Sequence, residues 1–218
     1  MKSFLSRKDS TMDNSSRERL MKAAAKLFAK KGFDRVSIRE IARDAKCNIC
    51  LVSYYFGGKE KLYQCIVEDF FARLDLYLDT VLVEFENERQ MTKDKFVEQL
   101  RFNIRFMVGE FEKDPETKII MHREQMDGFP HIQKIFDKHF VRVRRVIEVM
   151  YERGHKLGYI RPEIHVETFA ILMHRAVDAY MVSYLFTKPI RNLGLDPMKE
   201  TEKFIKQVEF VFLRGVLT

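Results

Sequence analysis

Apolar residues recur at helical spacing along nearly the whole chain, and caps, glycines and prolines mark the breaks between them. After Ser15, the residues Leu20, Ala23, Ala24, Leu27 and Phe28 fall on one face, and Ser15 with Glu18 has the spacing of a capping box. This first helix is expected to close at Gly32, where Lys30 and Lys31 suit the negative end of the helix dipole. Ser37 and Glu40 repeat the capping-box spacing ahead of a short stripe formed by Ile38, Ile41, Ala42 and Ala45. Lys46 and Cys47 interrupt the period. Asn48 is placed to cap a third helix that turns Val52, Tyr55 and Phe56 inward and ends at Gly57 and Gly58. Two short capped helices joined by a tight turn make a helix-turn-helix, whose second helix enters the major groove of DNA.

Beyond Gly58 the spacing predicts a long helix from Lys59 to about Glu88, then a Thr92-capped helix to about Phe111. A shorter helix runs from Pro115 to about Met126, and Gly128 and Pro130 break the chain before another that ends at Gly154. The loop HKLGYIRPEI follows. Two more helices, roughly Val166 to Phe186 and Met198 to Leu217, flank the linker KPIRNLGLDP. No strand pattern or internal repeat competes. The expected fold is all-α: a mobile arm over residues 1–14, a three-helix DNA-binding domain over 15–62, and a helical bundle for effector binding and dimerisation over 63–218.

Charge sharpens this picture. The formal net charge is +7, yet residues 1–61 alone hold 15 Lys+Arg against 7 Asp+Glu, so all of the excess lies in the first quarter of the chain. A basic segment joined to a neutral body fits a polyphosphate partner, because neutralising phosphates releases counterions. Even the most apolar stretch, Phe169 to Phe186, carries His174, Arg175 and Asp178, so no membrane span is expected. The opening residues also lack a signal-peptide core, which makes the expected location cytoplasmic.

The segment SIREIARDAKCNICLVSYYFGGKEKLY, preceded by AAAKLFAKKGFDRV, resembles the DNA-binding region of the TetR/AcrR family of bacterial transcriptional regulators. The resemblance covers roughly residues 16–65, and the GYIRPEI loop is similar to one in many members. It implies a homodimer joined through the last two long helices, a near-palindromic double-stranded DNA operator and a small-molecule effector. It also implies that Ser37 and Lys59 hold phosphates while Arg39 and the outer face of the third helix (Asn48, Ile49, Cys50, Ser53 and Tyr54) reach the bases or the backbone. Ser53 stands where members often carry a phosphate-binding tyrosine, so Tyr54 or Tyr55 takes that contact. Lys46 stands where a turn glycine is usual, at an expected cost of ~1 kcal/mol if the turn requires positive φ.

Other constellations carry less. Cys47 and Cys50 form a C-x-x-C, but no second pair or neighbouring histidine completes a metal site. A thiol switch therefore competes with the plainer reading of Cys47 as a small apolar residue. His122 with Glu124, and His174 with Asp178, lack the accompanying groups of a catalytic site, so no enzyme activity, metal or cofactor is expected. The 19 Phe and 11 Met serve first as core. A minority are candidates for a cavity, with Phe106, His122, Phe129, His174 and Asp178 as the expected lining. Apolar faces on the last two helices (Phe169, Leu172, Met173, Ala176 and Tyr180; Phe204, Val208, Val211 and Phe212) suit a two-fold dimer. The competing functions are an effector-independent activator or global regulator and, further off, a helical enzyme or lipid carrier with a membrane-facing basic surface.

Overall fold

The computed structural model describes the backbone of residues 3–87, 91–186 and 201–218, and side chains for residues 15–86, 91–175, 177–178 and 201–218. Among the described residues the fold is all-α, with nine helices: α1 (Ser3–Lys31), α2 (Ile38–Asp44), α3 (Cys50–Phe56), α4 (Lys59–Asn87), α5 (Lys93–Lys113), α6 (Pro115–Met126), α7 (Gln133–Lys156), α8 (Val166–Phe186) and α9 (Thr201–Val216). None of these is long and apolar enough to cross a membrane. The 188–197 linker and the expected start of the last helix at Met198 lie outside the described residues.

The expected boundaries hold within a residue or two for α2 through α6 and for α8, and they fail at α1. The helix passes straight through Ser15, so the capping box expected there does not form, and residues 3–14 extend the helix instead of making an arm. No proline or glycine interrupts that stretch, and a helix already nucleated adds one hydrogen bond for each residue it fixes. Gly32 closes α1 as expected, with φ 81° and its N–H donating to the Phe28 carbonyl at 2.8 Å.

Two compact units divide the chain. The first comprises Met1–Leu74 and Glu116–His139, so it takes in the start of α4, most of α6 and the start of α7, beyond the 15–62 segment expected from sequence. Its core is built on Leu20, Ala24 and Phe28 of α1, Ile41 of α2, Val52 and Phe56 of α3, and Leu62, Ile66 and Phe70 of α4, closed by Ile120 and Ile132. Burying side chains of this size contributes about 1.5–3 kcal/mol each, which holds the short α2 and α3 where their own length would not.

The second unit comprises Asp75–Pro115 and Phe140–Thr218. Along α5 the stripe Phe96, Leu100, Ile104, Val108 and Phe111 is buried, and α8 and α9 pack on α5 and on each other. Phe169, Met173 and Phe212, expected to face a partner, are buried in this unit's own core. Among the described side chains, the large apolar positions left outward on α8 and α9 are Ile171, Leu172, Phe210 and Val211. A stripe at spacing 169, 172, 173 spans a broad arc, and the pattern does not say which edge of that arc the core takes. Side chains of Ala176 and Tyr180 are outside those described.

One close approach is decisive in this unit. A Cβ at Gly154 would lie 2.8 Å from Ile160 Cδ1 and collide with the Phe96 ring. Gly154→Ala is therefore expected to cost about 1–3 kcal/mol by overpacking, read as a lower midpoint in urea denaturation.

Candidate DNA-binding surface

The surface is assembled from local signals at the ends of α2 and α3. Ser37 holds an extended conformation (φ −102°, ψ 152°), and its hydroxyl accepts from the Glu40 N–H at 3.2 Å. Glu40 in turn pairs with Lys31, and the bond from that ammonium holds its carboxyl below the usual carboxylate range. Ser37 and Arg39 are both exposed at the start of α2.

The turn between the helices closes by a Schellman arrangement. The Cys47 N–H donates to the Ala42 carbonyl at 2.9 Å and the Lys46 N–H to the Arg43 carbonyl at 3.2 Å. This places Lys46 in the left-handed region at φ 53°, the geometry foreseen for a glycine. Asn48 then caps α3: its side-chain Oδ1 accepts from the Cys50 N–H at 2.9 Å, while its carbonyl accepts from Leu51 at 3.1 Å. Ile49 already has helical angles (φ −57°, ψ −34°), so the physical start of α3 is Asn48. Gly57, at φ 74°, ends the helix with its N–H on the Ser53 carbonyl.

Val52 and Phe56 are buried, and Tyr55 is half-buried. Asn48, Ile49, Cys50, Ser53 and Tyr54 are consequently turned outward, Tyr54 at 74% exposure. Ile49 at the start of α3 and Tyr54, whose ring meets the Tyr55 ring edge-on at 5.0 Å, gain little from solvent; they suit a partner with methyl groups and phosphates. The C-x-x-C residues diverge in environment. Cys47 is half-buried, with Sγ 3.4 Å from the Ala45 carbonyl, Cys50 is exposed, and both are free thiols.

Lys59, at the first position of α4, sits on a support that the sequence did not reveal. Its Nζ lies 4.2 Å from the Phe33 ring centroid, and Phe33 packs on the His131 ring at 4.0 Å and against Tyr63 at 5.1 Å. Beneath them the buried Glu124 carboxylate accepts from the Tyr63 hydroxyl at 2.8 Å and from the His131 N–H at 3.1 Å, with His131 Nδ1 2.8 Å away. Burial and the Glu124 charge push the Tyr63 phenol well above its ordinary range, so it remains a neutral donor. Phe129, just after α6, is held at φ 61° by its N–H bond to the Glu124 carbonyl and by stacking on Phe136 at 4.0 Å. Tyr63 and Glu124 are 61 positions apart, so no local spacing announces the pair.

The residues expected to line a cavity fall into separate groups. His122 and Phe129 belong to the first unit, whereas Phe106, His174 and Asp178 belong to the second. Phe106 stacks on Tyr77 at 3.5 Å, and the Tyr77 hydroxyl donates to the buried Asn103 at 2.9 Å.

Residues 20–66 match the family model described as "Bacterial regulatory proteins, tetR family". The chain is 28% identical over 160 residues to the "HTH-type transcriptional repressor NicS" of Pseudomonas putida, covering 72% of this chain and 71% of that protein. It is 27% identical over 145 residues to the "Probable HTH-type transcriptional regulator YttP" of Bacillus subtilis, covering 66% and 67%. Its fold is similar to that of the ketosteroid transcriptional regulator KstR2 of Mycobacterium tuberculosis, with TM-score 0.71, 18% identity and coverage of 93% and 95%. It is also similar to the transcriptional regulator FadR of Bacillus subtilis, solved in complex with stearoyl-CoA, with TM-score 0.59, 12% identity and coverage of 88% and 96%. The capped helix-turn-helix, the matched segment and these relatives agree: the chain is a DNA-binding transcriptional regulator similar to those of the TetR family.

Proposed function

We propose that the protein is a cytoplasmic homodimeric repressor that holds a near-palindromic operator and releases it when a small-molecule effector binds. The observation that carries this reading is the outward face of α3, kept clear of the core by Val52 and Phe56 and presenting Ile49, Cys50, Ser53 and Tyr54. Ser37 and Lys59 grip phosphates on either side, Tyr54 or Tyr55 adds a third backbone contact, and Arg39 reaches a guanine. Dimerisation uses Ile171, Leu172, Phe210 and Val211, whose exposure on neighbouring helices leaves an apolar surface for a second copy. The effector enters the α5–α8 region near Phe106, His174 and Asp178. It favours a state whose two recognition helices no longer match successive major grooves, so effector and DNA weaken each other's binding by the same factor. The stearoyl-CoA held by the FadR neighbour supports an amphipathic ligand with a long apolar part.

The test is binding to duplexes enriched by the protein from a random-sequence pool, measured across salt. Affinity should fall steeply as salt rises, with a log–log slope of about −0.9 for each phosphate neutralised. Equal binding to a random anionic polymer or to anionic vesicles would instead favour the membrane-carrier alternative. The dimer surface has its own check. Leu172→Asp combined with Val211→Asp should shift sedimentation to a monomer and weaken operator binding by roughly 100-fold, because two linked half-site contacts become independent ones.

A further inference from the structure

We propose that Lys46, the residue at the centre of the helix-turn-helix turn, is a phosphate-binding residue, so that the turn is both joint and contact; the proposal rests on the DNA-binding reading above. Lys46 and Phe129 are the non-glycine residues with positive φ among the described residues. Phe129 is held there by a ring stack and by its packing in the core cluster. Lys46 has no such reason: it is exposed, and it makes no ion pair among the described residues.

The Schellman closure demands a left-handed residue at this position whatever its side chain, since the Cys47-to-Ala42 and Lys46-to-Arg43 bonds both pass through it. Glycine satisfies that demand without steric conflict, whereas a lysine strains the backbone and its ammonium gains no ion pair among the described residues. Strain kept at an exposed position points to something outside the chain. The location says what that is. Lys46 stands two residues before Asn48, the cap of the helix whose outer face meets DNA, and an ammonium on a flexible four-carbon stem is a point charge suited to a backbone oxygen. It would hold the strand at the leading end of α3, while Lys59, just past Gly57 and Gly58, holds at the trailing end.

The experiment compares the full-length parent with Lys46→Gly, Lys46→Gln and Lys46→Arg on a fluorescent duplex enriched by the parent, with a random-sequence duplex as reference. Lys46→Gly is expected to raise the melting temperature by about 2 °C, because strain is relieved, while weakening both duplexes several-fold. Its salt slope should shrink by about 0.9 per subunit. Lys46→Gln should lose the same slope without the thermal gain, and Lys46→Arg should keep the parent's slope. Unchanged slope in the Gly and Gln variants overturns the proposal, as does a loss of affinity at constant slope, which would mean a distorted turn and no missing phosphate contact. Failure of the parent itself to bind any duplex in a salt-dependent way would sink the DNA-binding reading first, and the two failures are thus told apart.

Discussion

Glu124→Ala should destabilise the first unit by about 3–5 kcal/mol, the range for removing one partner from a buried charged network. The carboxylate is 3% exposed and serves the Tyr63 hydroxyl, the His131 N–H and the His131 ring together. Deleting it strands buried donors, each costing roughly 1–3 kcal/mol when left without an acceptor. It also removes the floor beneath Phe33 and hence beneath Lys59. Thermal melts should show the loss as a fall of roughly 10 °C, the scale for a chain of this size. Glu124→Gln keeps one acceptor oxygen and the side-chain volume, so it should cost markedly less. The exposed pair Arg73–Asp69 provides the contrast: Asp69→Ala should cost under about 1 kcal/mol, because both charges remain solvated after the change. Equal effects of Glu124→Ala and Asp69→Ala would show that the buried network does not hold the unit together.

Arg39→Ala should weaken binding to the enriched operator by about 5- to 150-fold, equivalent to the ~1–3 kcal/mol of one bidentate base contact. The fold should survive, since Arg39 is exposed and α2 keeps its Ser37 cap and its buried Ile41 and Ala42. The loss should be concentrated on the operator and be small on random duplex, so specificity relaxes as affinity falls. Lys59→Ala should behave in the opposite way, weakening both duplexes alike and lowering the salt slope by about 1. A uniform loss for Arg39→Ala would reassign that residue to the phosphates.

The parts of this site that could be read in advance are those whose determinants are local. Ser37, Asn48 and Gly57 act on backbone groups two to four residues away, so residue type and spacing were enough to place both ends of α2 and α3. The strain at Lys46, with φ 53°, follows instead from the resemblance, which puts a glycine at that position. Where the determinants are distant, the reading stopped short. The support under Lys59 joins Phe33, Tyr63, Glu124 and His131 from three separate stretches of chain, and in the sequence Glu124 stands out only beside His122, in a pair without the groups of a catalytic site. The start of α1 was misplaced because Ser15 and Glu18 have capping spacing in a stretch where the helix simply continues. On α8 and α9 the apolar stripe was visible, but Phe169, Met173 and Phe212 went to the core and Ile171, Leu172, Phe210 and Val211 stayed outside. Amphipathic spacing fixes a direction only to within the width of its arc.

Selection from random duplexes, run in parallel with the parent and with Ile49→Asn, bears most directly on the outward face of α3. The account predicts that the parent enriches two inverted half-sites with centres about 10 base pairs apart or a multiple of it. The variant should enrich the same spacing with a changed base at one symmetric position in each half, because Ile49 is exposed at the leading end of the recognition helix. An identical consensus from both proteins, or none from the parent, would contradict it.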